Sequence, residues 1–318
     1  MTAVVLTMGE PTTARALASV RRQTSALRDV LVIESVSPFS AALNAGAGQV
    51  RTPFFIQVDA DMTLDSDCVQ RLSEAMSPEV GIAAGLLRDP LMGEVGAVKL
   101  FRRECFDAVQ LRDGVATDVD FYRELAEHGW LTLYTLRELR PGRPRTLGEH
   151  RPVYSPAYTY ATYYLLGARY WQLRDSTSLR WRLGRLRTSK HPLAPMARAA
   201  LGHGLFSDEA RDVPKDAVRM ERAVLQGLAR SDDAAELGRA RIPATLAAEQ
   251  ACERFYDEGH RLGSRGAYAE LRSWLRRITV VAGDGDALLE ASLSHGFLSA
   301  VEGNRDSERP WQRLRELR

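Results

Sequence analysis

The first half of the chain alternates short apolar runs with amphipathic stretches. The apolar runs at Ala3–Met8, Asp29–Ile33 and Phe54–Val58 have the length and composition of buried strands. Helical periodicity separates them, with helices predicted over residues 13–23 and 39–48. Strands joined by helices predict a doubly wound, mostly parallel α/β sheet, whose ligand site lies outside the carboxyl ends of the strands.

The pattern changes beyond residue 155. Long Ala-, Leu-, Arg- and Glu-rich stretches there have helical periodicity, and no internal repeat is evident. We therefore expect two domains: residues 1–155 carrying the sheet, and residues 156–318 forming an α-helical domain. The remaining predicted elements are strands at Val80–Leu87, Val95–Phe101, Trp130–Leu136 and Ile278–Ala282, loops at Arg88–Glu94, Pro141–Arg145 and Gly148–Pro152, and helices at Asp67–Met76, Asp216–Arg230, Ala244–His260 and Ala267–Arg277.

Polar side chains follow each of the first three predicted strands. The third runs out into Asp59-Ala60-Asp61, and two carboxylates one residue apart suit a hard divalent cation such as Mg²⁺ or Mn²⁺. A solvated acidic turn is the alternative interpretation. Because the strand ends meet at one edge of a parallel sheet, we expect a shared crevice there. The residues at the other two ends are Thr7, Met8, Gly9 and Glu10 at the first strand and Glu34 and Ser35 at the second.

A second acidic pair, Asp118 and Asp120, precedes a helix predicted from Phe121. In an extended segment these two side chains share a face. Both carboxylates also suit the amino terminus of the helix, which they would stabilise as acidic caps. His150 lies in a predicted loop, where a lone histidine is either a metal ligand or a hydrogen-bonded surface residue.

Composition excludes several classes of protein. The 318 residues are 45% hydrophobic and 26% charged, as in an ordinary globular protein. No run approaches the roughly 18 apolar residues of a membrane span, and the first residues are predicted to be a strand rather than a signal peptide. Three scattered cysteines do not suggest a disulfide framework. We expect a cytoplasmic protein.

The net charge of +2 conceals one basic segment, residues 161–190, with seven Arg and Lys side chains against one Asp. Aromatic residues are interleaved with the arginines, which suits DNA or another polyanion, or an acceptor that carries phosphate or sugars. Peripheral contact with an anionic membrane is a further hypothesis. An aromatic stripe that faces the core, with a solvated basic face, is the simplest interpretation.

Several weak motifs occur in a recognisable order. They are Ser19–Thr24, Leu43–Gly46, the D-x-D sequence Asp59–Asp61, and Thr117–Phe121 followed by Gly129-Trp130. In this order and spacing, the first 150 residues resemble glycosyltransferase family 2, inverting enzymes of the GT-A fold that use nucleotide-sugar donors. The resemblance implies a GT-A (Rossmann-like) catalytic domain and metal-dependent transfer of a sugar to an acceptor hydroxyl.

The resemblance also implies roles for individual residues. Asp61 would be the direct ligand of Mn²⁺ or Mg²⁺, with Asp59 on the ribose or a metal-bound water and His150 as a further ligand. Asp118 would be the catalytic base and Asp120 the reserve candidate. Asn44 would join Thr7, Gly9, Glu10 and Glu34 around the donor, for which a UDP-sugar is expected. The acceptor stays open between a saccharide, a glycolipid and a modified DNA base such as hydroxymethylpyrimidine.

Two other functions fit parts of the sequence. Asp59–Leu64 also matches the D-x-D-x-T-L motif of haloacid dehalogenase-like phosphatases, where Asp59 would be the nucleophile and Asp61 the acid/base. Lys99 and the acidic pair would then serve phosphate and metal binding. That motif ordinarily lies on the first strand, which disfavours the hypothesis. The third candidate is a non-catalytic glycan- or nucleic-acid-binding protein on a GT-A scaffold.

Overall fold

A computed structural model describes residues 1–113, 117–134, 146–173, 176–206, 218, 222–230, 248–277, 285–301 and 303. The predicted loop at 141–145 and the predicted strand at 278–282 lie outside these residues, as do residues 135 and 136 of another predicted strand. The chain divides into two compact units, Met1–Val153 and Tyr154–Arg318.

The first unit is an α/β structure. Its helices are α1 (Thr13–Arg21), α2 (Phe39–Gln49), α3 (Cys68–Glu74), α4 (Cys105–Ala108) and α5 (Thr117–Glu127). Its strands are β1 (Thr2–Thr7), β2 (Asp29–Glu34), β3 (Phe54–Asp59), β4 (Met62–Leu64), β5 (Val80–Asp89), β6 (Gly93–Arg102), β7 (Leu131–Tyr134) and β8 (Gly148–His150).

The strands form one mixed, mostly parallel sheet in the order β2-β1-β3-β6-β5-β8-β4, with β7 also paired to β5. Strand β1 is parallel to β2 and β3, and β5 is parallel to β7 and β8. Strand β6 is antiparallel to β3 and β5, because a hairpin too short for a crossover joins it to β5. Strand β4 is antiparallel to β8.

Helices cover both faces of this sheet. Side chains from α1 and α3, including Val20 and Leu72, pack against Val5 and Val58 in one cluster. Side chains from α2, α4 and α5 pack with Val4 and Phe55 in the other. Successive residues of β1 thus enter opposite clusters, which is the period-two alternation of a strand buried on both faces.

Three local predictions were wrong. Strand β2 was expected to be buried, but it is the edge strand and only Ile33 is buried. The predicted loop at Arg88–Glu94 is a hairpin whose strands reach Asp89 and resume at Gly93. The predicted loop at 148–152 begins instead with β8, which pairs with β4. The short strands β4 and β8 carry too few residues for a detectable apolar pattern.

In the second unit, every regular element among the described residues is helical. These elements are α6 (Pro156–Leu173), α7 (Ser176–Thr188), α8 (Ala194–Leu205), α9 (Arg222–Arg230), α10 (Ala248–Gly263), α11 (Tyr268–Arg277) and α12 (Gly285–Val301). None of the helices in the described part of the chain is both long and apolar enough to cross a membrane.

The second unit contains an internal repeat, contrary to the sequence-based expectation. Helices α6 and α10 begin 92 residues apart, at Pro156 and Ala248, and α7 and α11 also begin 92 residues apart, at Ser176 and Tyr268. The same shift superposes α8 on α12. Identical residues at this spacing are Tyr164/Tyr256, Gly167/Gly259, Arg169/Arg261, Leu179/Leu271, Arg180/Arg272, Leu183/Leu275, Arg185/Arg277, Ala199/Ala291, Leu201/Leu293, His203/His295 and Gly204/Gly296.

Equivalent residues make equivalent contacts in the two copies. A methyl group added to Gly204 would clash with the carbonyl oxygen of Tyr164, and one added to Gly296 would clash with that of Tyr256. The Tyr164 and His203 rings lie 5.1 Å apart, and the Tyr256 and His295 rings lie 5.5 Å apart. The packing of α6 on α8 is therefore reproduced by that of α10 on α12.

The two copies meet along α8 and α12, where equivalent positions face each other. The rings of His203 and His295 are 5.3 Å apart, and Arg198 forms a buried ion pair with Glu290. Contacts between equivalent residues over more than one helical turn mean that α8 and α12 run parallel and in register. The low complexity of the shared pattern, mostly Ala, Leu, Gly and Arg, hides the repeat in the sequence.

The basic segment lies on α6 and α7, and several of its arginines are internal. Arg169 is buried, and Arg187 pairs with the buried Glu290 at 3.0 Å. Arg182 donates to the Tyr170 hydroxyl at 2.7 Å and stacks on the Tyr163 ring. In the second copy Trp274 packs on Phe255 at the equivalent positions. Much of the stripe therefore faces the helical core.

Candidate active site

The D-x-D sequence lies at the carboxyl end of the central strand β3. Strand β3 ends at Asp59 and β4 begins at Met62, so Asp61 occupies the short turn between them. Strand β4 pairs with β8 in a register that sets Met62 opposite His150. A backbone hydrogen bond of 2.8 Å from Arg151 N–H to the Asp61 carbonyl fixes this arrangement. The sheet thus brings together two predicted metal ligands that are 89 positions apart.

His150 lies between two carboxylates. Its Nε2 is 3.5 Å from Asp61 Oδ2, and its Nδ1 is 2.7 Å from Asp89 Oδ2. Burial acts to lower the pKa of His150, but hydrogen bonding and charge attraction from both carboxylates outweigh it and raise that pKa to about 10. Without a metal ion, the ring therefore carries both protons at neutral pH.

Asp59 occupies a different environment from Asp61. Gln57 Nε2 donates a 2.7 Å hydrogen bond to Asp59 Oδ1. Burial, and next the nearby Asp61 carboxylate, raise the pKa of Asp59 to about 6. Lys99 and His150 act in the opposite direction through their positive charges. The Asp61 Oδ1 atom, by contrast, is buried without a hydrogen-bond partner in the described part of the chain.

Asp118 and Asp120 were expected in an extended segment, but both lie in the first turn of α5. At 3.6 residues per turn, side chains two positions apart point about 200° from each other, so they do not share a face. Asp118 Oδ2 is 3.5 Å from Lys99 Nζ on β6, whose side chain is only 8% exposed. Both carboxylates also favour the positive amino-terminal end of the helix.

A cleft of about 220 Å³ opens beside the D-x-D sequence. Glu10 shapes one wall, because its Oε2 accepts 2.7 Å hydrogen bonds from Thr7 Oγ1 and Met8 N–H. The apolar part comes from β1, α2 and the segment that joins β2 to α2. The lining residues are Leu6, Thr7, Met8, Glu10, Val36, Ser37, Phe39, Ala42, Asp59, Ala60 and Asp61.

Three residues predicted to contact the donor are not among those that line this cleft. The side chain of Asn44 on α2 makes two hydrogen bonds to the backbone of Leu111. Its Nδ2 donates to the Leu111 carbonyl oxygen at 2.9 Å, and its Oδ1 accepts from the Leu111 N–H at 3.1 Å. Glu34 is exposed at the end of the edge strand β2. Gly9 has a φ of +89° and donates its N–H to Thr7 Oγ1. Their roles at the donor remain predictions.

Sequence reasoning missed Asp89. It ends β5, its side chain is fully buried, and its Oδ1 accepts hydrogen bonds from the N–H groups of Leu91 at 2.8 Å and Met92 at 2.7 Å. The available signal was an Asp immediately before a Pro, at the end of the apolar Val80–Leu87 run. Because Asp89 and His150 are distant in sequence, only the pairing of β5 with β8 reveals their contact.

The fit of a divalent cation rests on Asp61 and His150. No three His, Cys, Asp or Glu side chains within the described ranges are grouped as a complete ligand set. The buried, unpartnered Asp61 Oδ1 and a histidine held by a carboxylate on its other nitrogen are nevertheless the features of a partial metal site. The two residues fit a cation whose remaining ligands come from water or a phosphate.

Comparisons with known proteins give limited resemblances. No protein-family model matches the chain, and no curated protein matches it. Among solved structures, it aligns with the mannosyltransferase PcManGT from Pyrobaculum calidifontis, in complex with GDP-Man and Mn²⁺, at 15% identity and a TM-score of 0.46, covering 92% of this chain and 86% of that one. It also aligns with S. aureus TarS 1-349 in complex with UDP, at 10% identity and a TM-score of 0.36, covering 96% and 92%.

Proposed function

We propose that the first unit is a metal-dependent, inverting glycosyltransferase that moves a sugar from a nucleotide-sugar donor to an acceptor hydroxyl. The observation that carries this proposal is the convergence of Asp61, His150 and the Lys99–Asp118 pair at one sheet edge beside a cleft. Ligands of α/β proteins bind at the carboxyl edge of their parallel strands. The order of motifs along the sequence favours the same function.

Asp61 and His150 are the residues that would hold Mn²⁺ or Mg²⁺. A bound cation would stabilise the negative charge that develops on the departing nucleoside diphosphate. Asp59 is held by Gln57 beside the same cleft, where it can accept a hydrogen bond from the donor's ribose or from an ordered water. We assign Thr7 and Glu10, which line the cleft, to the donor as well.

Asp118 is the residue that would take the proton of the acceptor hydroxyl. Asp118 Oδ2 lies 3.5 Å from the buried ammonium group of Lys99, and this ion pair holds the carboxylate in place at the first turn of α5. The same cation acts on Asp59, so Lys99 lies near both the donor side and the acceptor side of the proposed site.

The acceptor and the nucleotide are proposed more broadly. We expect a UDP-sugar donor and an acceptor that is a saccharide, a glycolipid or a modified DNA base reached by base flipping. Among the basic and aromatic side chains of this segment that the structure describes, Arg180, Trp181 and Lys190 are exposed, and an anionic acceptor could lie on them. Trp181 carries the guanidinium group of Arg185 over its ring, as in stacking sites for sugars or bases.

The first experiment is a donor screen. The purified protein is incubated with UDP-, GDP- and dTDP-sugars, with and without Mn²⁺, and the melting temperature and nucleotide release are recorded. We expect one donor to raise the melting temperature only when Mn²⁺ is present, because ligands that bind the native state stabilise it. The Asp61→Ala variant should lose this shift. Asp107→Asn, which alters an exposed carboxylate paired with Arg103, should keep it.

Two outcomes would contradict the proposal. Hydrolysis of a phosphomonoester with Mg²⁺, without any donor effect, would make Asp59 a phosphatase nucleophile. Binding of glycan or DNA by a protein that neither binds nor hydrolyses any nucleotide-sugar would indicate a non-catalytic scaffold.

A further inference from the structure

The Asp89 side chain has no exposed surface, yet it uses both of its oxygens. Oδ1 accepts hydrogen bonds from the N–H groups of Leu91 and Met92 and thereby closes the β5–β6 hairpin. Oδ2 is 2.7 Å from His150 Nδ1. A turn needs only the first of these interactions, and many exposed residues could supply it. The turn alone does not explain why a buried carboxylate also forms a hydrogen bond with a histidine beside the D-x-D sequence.

We propose that Asp89 is a positioning residue that prepares His150 for a divalent cation. By accepting a hydrogen bond from Nδ1–H, Asp89 leaves Nε2, which faces Asp61 Oδ2 at 3.5 Å, as the nitrogen that can bind a metal ion. Hydrogen bonds from the backbone of Leu91 and Met92 fix the Asp89 carboxylate, and the fixed carboxylate in turn sets the orientation of the imidazole ring. This inference rests on the proposed metal-dependent function.

Asp89→Asn separates this role from the role in the turn. The two backbone N–H groups need an acceptor, so the amide oxygen of the new side chain must face Leu91 and Met92. Its NH₂ group then faces His150 Nδ1 and donates a hydrogen bond to it, so Nδ1 must be unprotonated. The single proton of the neutral ring therefore lies on Nε2, the nitrogen that the cation requires. The hairpin stays closed while the metal-binding nitrogen is blocked.

The test measures Mn²⁺ binding directly, from the free-ion signal in electron paramagnetic resonance, without a donor or acceptor. We expect Asp89→Asn to raise the Mn²⁺ dissociation constant about 10- to 100-fold, as for other residues that orient metal ligands. His150→Ala should weaken binding at least as much, and Asp107→Asn should leave it unchanged. Nucleotide release by Asp89→Asn should recover as Mn²⁺ is raised, so that its maximal rate falls less than its metal affinity.

A second measurement on the unaltered protein avoids dependence on folding of the variant. With Cd²⁺ as a diamagnetic substitute, ¹⁵N spectra of the histidines should show His150 protonated at Nδ1 and metal-bound at Nε2. The inference is overturned if Asp89→Asn binds Mn²⁺ as the unaltered protein does while His150→Ala does not, or if the bound His150 carries its proton on Nε2. Failure of the unaltered protein to bind Mn²⁺ would instead remove the proposed metal-dependent function itself.

Discussion

Asp118 and Asp120 differ by their surroundings, although they are close in sequence and both begin α5. Asp118 Oδ2 lies 3.5 Å from Lys99 Nζ, and the Asp118 carboxylate, after burial, further raises the pKa of Tyr122 one turn later. The buried Lys99 cation thus favours Asp118 as the base. The same cation lies near Asp59, which links the choice to the donor side of the site.

Replacement of Asp118 by Asn should therefore slow the reaction without weakening the binding of the donor. We expect Asp118→Asn to lower the rate of nucleotide release about 10²- to 10⁴-fold, the usual contribution of a general base. The donor-dependent rise in melting temperature should persist in this variant. Asp120→Asn is the matched control and should retain most of the rate. Equal losses in both variants would indicate that the carboxylates act only through the helix terminus.

The candidate site could be predicted only in part at this scale. The D-x-D pair and Asp118 follow from motifs in which carboxylates end or begin an element, and His150 was within reach because it sits in a short polar segment. Asp89 could not be found, because its importance depends on the contact between β5 and β8. Asn44 shows the converse case: a motif residue whose amide is occupied by the backbone of Leu111.

The repeated three-helix element allows one copy to be compared with the other. The glycines that recur in both copies lie where two helices approach most closely. Arg182 takes the place of Trp274, and both contact an aromatic ring on the preceding long helix, so Arg182 belongs to the packing. Trp181 is exposed and its counterpart is Ser273, so the first copy carries an aromatic surface that the second lacks.

Equivalent glycines should be equally intolerant of a side chain. Gly204→Ala and Gly296→Ala each place a methyl group against a backbone carbonyl of the helix packed on it. Each should lower the free energy of unfolding by about 1–3 kcal/mol. Hydrogen exchange of the α8 and α12 amides would detect the loss as faster exchange in both variants. Gly184→Ala is the control, because nothing lies within 4 Å of the added methyl group and alanine favours a helix. A large effect at only one of the two glycines would contradict equivalent packing.

For the whole molecule, sequence periodicity predicted the alternation of strands and helices and the change of character near residue 155. It missed the edge position of β2 and the antiparallel strand β6, because the order of strands in a sheet is decided by tertiary pairing. It missed the repeat because helices packed through glycine and alanine leave a weak pattern. The strands that position His150 contain three residues each, too few for a period to register.

The proposed function requires Asp61 and His150 to hold the divalent cation that accompanies a nucleotide-sugar in the cleft. The most direct measurement is a crystal structure with UDP and Mn²⁺, in which the anomalous signal locates the metal. We predict a peak within coordination distance of Asp61 and His150 Nε2, with the diphosphate completing its ligands and the nucleoside in the cleft between Thr7 and Phe39. A nucleotide bound without metal at this pair, or a peak that engages neither residue, would contradict the account.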